Sequence, residues 1–394
     1  MRMRAWHGII GLALLSLWIK VGALPAARAE AKADLVTLWR VPEKGIQPQA
    51  AVDSRGVVHL VYFRGKPEAG DLYYLRMTPG QKALSAPIRV NSQPGSVTAI
   101  GTIRCEQIAI GQGDRIHVVW NGVGKAGANG YPGLYMAYTR LNDQGTAFEP
   151  QRNLSTWAGG LDGGGSVAAD KAGNVYVVWH AGPPGSKAGE AGRAVFLTHS
   201  RDNGKTFPRE RQINPQPTGA CGCCGMRAFV DHNGVLSILY RAAGENVRRD
   251  TMLLLSRDRG ATFQERLVDR WNLNACPMSS FALSEGEGSI LAAWETQNRV
   301  YYGQISPASG SISKPIVAPG AVQSKHPVIL ANAQGQTLFA WTEGTGWNRG
   351  GSLAWQVYDR EGRPVGSRGA AEGVPAWSLL TAYTRPDGSF VLIY

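Results

Sequence analysis

Short runs of alternating apolar and polar residues recur along this chain, each ending in an aromatic side chain, which is the period-2 signature of half-buried β-strands. Each run is preceded by a shorter apolar stretch and a polar turn, usually with glycine. Clear copies are Ala51-Val52-Asp53-Ser54-Arg55-Gly56 followed by Val57 to Tyr62, Val167 to Gly173 followed by Asn174 to Trp179, and Phe229 to Gly234 followed by Val235 to Tyr240. Further copies close at Trp120, Trp294, Trp341 and Tyr394. The closing aromatics thus recur roughly every 50–60 residues, a period of array folds rather than of a sandwich.

Each unit then offers a third strand, such as Ala194 to Thr198 or Met252 to Leu255, and a fourth, such as Glu210 to Ile213. Four short antiparallel strands per repeat make one blade, and radial closure protects the strand edges. The pattern predicts an all-β fold, a β-propeller of four-stranded blades: seven by unit count, with six as the alternative if one unit is diverted. The last unit ends at Tyr394 without its outer strands, and the segment Leu35 to Val41 is placed to supply one and close the ring.

The first residues read differently. Arg2 and Arg4 precede an apolar run from Ile9 to Trp18, then Pro25 and Ala27-Arg28-Ala29. A basic start, an apolar stretch and a small-x-small site are what a signal peptidase recognises. The run falls short of the roughly 18–20 residues that span a bilayer. Residues 1–29 are therefore expected to be a signal peptide, leaving residues 30–394 as a periplasmic or secreted protein with no transmembrane anchor after cleavage. No linker or shift in composition divides residues 30–394, so one domain is expected.

Removing Arg2, Arg4, Lys20 and Arg28 lowers the formal charge from +12 to +8. The basic residues are scattered and form no stripe, which argues against nucleic acid as a partner and leaves an acidic ligand compatible.

Two third-strand exits carry a specific turn. Ser200-Arg201-Asp202-Asn203-Gly204-Lys205-Thr206-Phe207 and Ser256-Arg257-Asp258-Arg259-Gly260-Ala261-Thr262-Phe263 both read S-x-D-x-G-x-T-F, and Asn142 to Phe148 is a degenerate copy. Asp is suited to bind turn amides, Gly to take positive φ, and Phe to pack beneath. The motif resembles the Asp-box (BNR repeat) of the sialidase superfamily, notably bacterial exo-alpha-sialidase-like proteins. That resemblance implies a propeller whose Asp-boxes lie on the face away from the active site, and it implies glycosidase chemistry: an arginine cluster for a carboxylate, an acid/base carboxylate, and a tyrosine nucleophile.

The chain departs from that pattern in two places. Where the family has Arg-Ile-Pro entering the first blade, this sequence has Ile46-Gln47-Pro48, with Arg40-Val41-Pro42 upstream and out of register. Trp377, in Ala376-Trp377-Ser378, stands at the nucleophile position, and an indole cannot be that nucleophile. Arg227, Arg241, Arg248 and Arg249 remain candidates to hold an anion, Glu295, Glu343 and Asp71 to act as acid or base, and His180 and Trp377 to contact a ligand.

Five cysteines complete the inventory: Cys105, Cys221, Cys223, Cys224 and Cys276. All lie at or near first-strand starts, and Cys105 and His326 share a register counted back from the closing aromatics. These residues are expected to converge on one axial mouth. Two readings stand. Disulfides suit an exported protein, although an odd count leaves one thiol over. A soft-metal site would use thiolates and imidazole for Cu or Zn, although C-x-C-C is not zinc-ribbon spacing. Three functions follow as expectations: a propeller that binds or hydrolyses a glycan or another anionic ligand, a non-catalytic one that docks a protein partner, and a metal or redox centre.

Overall fold

The computed structural model describes residues 35–394 except 82–83, 127–131, 186–188, 216–217 and 321–322. The expected export signal lies outside the described residues. The rest is a seven-bladed β-propeller. Its inner strands are Ile46–Val52, Gln107–Ile110, Ser166–Ala169, Arg227–Val230, Ala282–Gly286, Ser324–Ala331 and Thr381–Thr384. Each neighbours the next around the axis, and the last returns to the first. Among the described residues no helix is long and apolar enough to cross a membrane.

Blade 3 shows how the pattern makes a blade. Its strands Ser166–Ala169, Val175–Ala181, Ala194–Ser200 and Arg211–Gln212 pair in sequence order, all antiparallel. Asp170 sets the first turn, its Oδ1 accepting the Ala172 and Asn174 amides at 2.9 Å each. Asp53, Asp231 and Asn332 do the same in blades 1, 4 and 6. The second strand is buried at every position because adjacent blades cover both of its faces. A strand covered twice reads as a continuous apolar run, and Val175-Tyr176-Val177-Val178-Trp179 does.

The closing aromatics pack between blades. Trp179 sits with Val119, Met136 and Phe196 between blades 2 and 3, and Trp120 with Val61, Phe63 and Leu72 between blades 1 and 2. Both rings are no more than 1% exposed.

Six sheets have four strands, and the seventh has three. In that blade Val36–Trp39 pairs with Phe390–Ile393, as the sequence predicts, but in parallel, from Val36↔Phe390 to Trp39↔Ile393. The direction follows from the route of the chain. Inner strands start at the upper face, so the strand leading into Ile46–Val52 must finish there, as Phe390–Ile393 does. The closure is tightened by Val41 N to Tyr394 O at 3.0 Å and Tyr394 N to Trp39 O at 3.1 Å.

The two S-x-D-x-G-x-T-F turns have the expected geometry. Asp202 accepts the Thr206 amide at 2.9 Å and hydroxyl at 2.6 Å, and Asp258 accepts the Thr262 amide at 2.9 Å and hydroxyl at 2.5 Å. Gly204 and Gly260 take φ of 76° and 77°. Phe207 packs edge-on against Tyr138, and Phe263 against the core between blades 3 and 4. Asn203 N donates to Gly173 O at 2.8 Å, which puts this turn on the face of the inner hairpins, opposite the first-strand starts.

Thr262 holds the Asp258 carboxyl down at about 2, from an ordinary 3.8. Burial opposes ionisation of Asp202, but Ser200 and Thr206 outweigh it and bring that group to about 2 as well. Because both folded-state values are depressed, the stability they contribute is present above the unfolded value and is lost as pH falls through about 2. The double variant D202N/D258N is therefore expected to lose stability less steeply than the wild type between about pH 4 and pH 2. Urea midpoints across that range measure it, and parallel curves would contradict it.

Candidate functional site

The axial channel is built in tiers. Seven inner-strand residues pair with the residue just before each closing aromatic: Gln49↔Val61, Gln107↔Val119, Ser166↔Val178, Arg227↔Leu239, Ala282↔Ala293, Val328↔Ala340 and Thr381↔Ile393. One level of the channel is thus polar on blades 1–4 and 7, and apolar on blades 5 and 6. Arg227 reaches across the axis from blade 4: its Nη1 donates to Gln49 Oε1 at 3.2 Å and to Gln107 Oε1.

Among the described residues no carboxylate pairs with Arg227. Burial pulls the guanidinium down to about 10, which leaves it charged at neutral pH. It borders a cavity of about 610 Å³ that runs along the inner strands from Ile103, Cys105 and His326 to Val52, Glu285 and Thr384. A charged guanidinium that faces a cavity with only neutral amide partners has the chemistry to receive an anion.

Two residues earlier in sequence stand Gln47, Cys105, Gly164, Gly225, Ser280, His326 and Leu379, with β-bulges at Gln47 and His326. Cys105 and His326 both line the cavity, although a β-bulge between Lys325 and Val328 interrupts the residue count at His326. Ser280 Oγ and His326 Nδ1 are 3.0 Å apart, and burial holds His326 down at about 3, so its ring is neutral. Cys105 Sγ donates to Thr102 O at 3.1 Å, and burial raises its pKa.

The loop before blade 2 spans the top of the channel. The side-chain Nε2 of Gln47 lies 2.9 Å from Ala99 O, 3.0 Å from Gly101 O and 2.8 Å from Trp377 O. Gly164 N donates to Ile103 O at 2.6 Å. Arg104 pairs with Asp162 and lies 6.0 Å from the ring of Trp347. Gly101 has φ of 80°, and a Cβ there would come 2.7 Å from that ring.

Beside the channel, at the start of blade 4, three thiols meet. Cys221 Sγ is 3.3 Å from both Cys223 Sγ and Cys224 Sγ, and Ser279 Oγ donates to Cys224 Sγ at 3.4 Å. Burial opposes charge on Cys224, but donation from Cys221 and Cys223 and the nearby Arg241 outweigh it and pull that thiol down. Cys223 Sγ also lies within 4.8 Å of Cys276 Sγ and of a Glu190 oxygen. Cys105 and His326 stand outside this group, so the expected convergence splits into an axial set and a thiol cluster.

The other candidates are spread over the upper face. Arg241 is 1% exposed, and its donors are all engaged: with Ser279 Oγ at 3.2 and 3.0 Å, Arg249 O at 2.8 Å, Thr251 Oγ1 at 2.8 Å and Glu295 O at 2.6 Å. It braces the wall. Arg249 pairs with Glu190 at 2.6 Å, and exposed Arg248 with Glu245 at 2.6 Å. Glu295 is fully buried, bonded to Lys325 at 3.0 Å, and lifted by burial to about 6. Glu343 is held by Trp341 Nε1 at 2.8 Å and Arg368 at 2.6 Å, on the outer side of blade 6. Asp71 accepts Asn91 Nδ2 at 2.7 Å and the Gly95 amide at 2.8 Å, ordering a loop of blade 1.

His180 is fully buried with neither ring nitrogen hydrogen-bonded among the described residues, and burial holds it down at about 4. Trp377 is half-buried with φ of 58° where it enters blade 7. Sequence reasoning missed Gln49, Gln107, Glu190 and Arg193. Counting back from the closing aromatics would have found the two glutamines, whereas Glu190 and Arg193 lie in a loop that carries no period.

No known protein family matches this chain by sequence, and no curated protein is similar to it. Solved structures share its fold. A protein of unknown function from Dyadobacter fermentans matches with a TM-score of 0.52 at 14% identity, over 76% of this chain and 90% of that one. An alpha-L-arabinanase from Penicillium chrysogenum matches with a TM-score of 0.52 at 14% identity, over 82% and 95%. A Trypanosoma rangeli sialidase matches with a TM-score of 0.50 at 13% identity, over 77% and 53%. At these identities the likeness is one of fold.

Proposed function

We propose that this propeller recognises an acidic glycan in its axial channel, with Arg227 as the group that holds the sugar carboxylate. The observation that carries this reading is a charged arginine lying across the channel between two neutral glutamines, beside a cavity of about 610 Å³. Gln49 and Gln107 fix the fork, so little side-chain entropy is lost when an anion arrives. Thr381 and Ser280 border the same cavity and suit sugar hydroxyls. The arabinanase was solved with arabinobiose, and sialidases are among the proteins of like fold, which fits a glycan as the ligand.

The reading is one of binding. Glu295, Glu343 and Asp71 are each engaged by neighbouring donors. A display of sialylated, uronic-acid and neutral glycans tests it. Acidic glycans are expected to bind, and R227Q to weaken them by about tenfold or more, the scale of a lost charge-assisted hydrogen bond. Equal binding of neutral glycans, or unchanged binding by R227Q, would overturn it.

A further inference from the structure

The thiol cluster is independent of that channel, and its geometry points to a second site. We infer that Cys221, Cys223 and Cys224 form a three-sulfur site for a monovalent soft metal ion, Cu(I). The three sulfurs lie within 4.8 Å of one another, and all three residues are buried. A metal–sulfur bond of about 2.3 Å places ligand sulfurs roughly 3.8–4.0 Å apart, so small rotations about the side-chain bonds suffice to seat an ion between them.

The surroundings supply the charge that such a centre needs. Three thiolates around a monovalent ion carry two negative charges in a buried setting, which is costly without cations nearby. Arg249 is 4% exposed, and its Nε and Nη1 are buried with no partner among the described residues, although its Nη2 pairs with Glu190. Arg193 has a buried Nη1 without a partner among the described residues, and it lies against Gly222, where a Cβ would coincide with the guanidinium. Only glycine between Cys221 and Cys223 leaves room for that cation. Arg241 stands behind Ser279, whose hydroxyl donates to Cys224. Buried guanidinium donors without acceptors, grouped around a thiol cluster, call for an anionic centre.

The choice of ion follows from coordination. Structural zinc takes four ligands, nearly always in a tetrahedron. Among the described residues no other Cys, His, Asp or Glu atom lies within 4.8 Å of all three sulfurs, because Cys276 and Glu190 approach Cys223 alone. A three-coordinate, all-sulfur site suits a soft d¹⁰ ion that accepts trigonal geometry. Oxidation would instead pair these cysteines, with Cys276 as the partner of Cys223.

The test is anaerobic titration of the full-length protein, reduced and freed of metal, with Cu(I) against a chromogenic chelator, followed by X-ray absorption at the copper edge. One equivalent is expected to be retained, with three sulfur neighbours at about 2.2–2.3 Å. Retention is expected to fall at least tenfold in C221S, C223S and C224S and to be unchanged in C105S and C276S. Circular dichroism identifies the folded variants, and the three separate replacements keep the test open if one fails to fold. No retained copper would overturn the assignment. So would preferential zinc binding that C276S abolishes, which marks a four-ligand zinc site. Recovery of two disulfides that resist mild reduction would overturn it as well.

Discussion

Replacing Arg241 with leucine is expected to destabilise the protein by about 3–5 kcal/mol, the scale for breaking a buried, fully bonded charge network. Among the described residues the guanidinium has no carboxylate partner. It is satisfied by Ser279, Thr251 and the carbonyls of Arg249 and Glu295, between the rings of Trp271 and Phe281 at 5.0 and 5.2 Å. Leucine would leave these acceptors buried and unmet, and would take a cation away from buried Glu295. R241K keeps the charge but only three donors, so it is expected to recover part of the loss. Urea denaturation of the three proteins reads the effect. A loss below about 1 kcal/mol for R241L would show that the network rearranges at little cost.

Trp179→Ala is expected to cost about 3–5 kcal/mol, the range for removing a large aromatic from a close-packed core. Its ring is fully buried between blades 2 and 3, and neither blade can close over the void without shifting against the next. Phenylalanine at the same position separates packing from hydrogen bonding. Trp179 Nε1 has no partner among the described residues, whereas Trp294 Nε1 donates to Asp269 at 2.9 Å. W179F removes an unmet donor and W294F breaks a bond, so W294F is expected to be the more destabilising by about 1 kcal/mol. The reverse order would contradict this account of the blade cores.

The architecture was legible because each blade repeats the same burial problem. A second strand covered on both faces must be apolar and close on a large ring, and Trp120, Trp179, Trp294 and Trp341 mark four blades without reference to their neighbours. Even the closing strand could be placed from its apolar residues, although its parallel pairing depends on where the chain must go next.

The site was harder to read. Arg227 and Arg241 look alike in sequence, two arginines at strand ends of one blade. Only their tiers separate them: an inner-strand start projects to the axis, while a second-strand exit is buried by the next blade. Cys105 and His326 were placed together by register, and both line the axial cavity, although a β-bulge at His326 breaks the count that joined them. The Cys221–Cys224 segment precedes the register of its blade, so nothing periodic fixed its distance from them. The loop that crosses the channel at Ile103 and Arg104 was illegible for the same reason, since its path is set by contacts with several blades distant in sequence.

The most direct test of the central claim is a crystal structure of the protein soaked with the acidic glycan that binds it best. The account predicts the sugar carboxylate against Arg227, between Gln49 and Gln107, inside the axial cavity. A glycan seated on the outer loops around Trp347, with the channel empty and Arg227 still bonded to both glutamines, would contradict it.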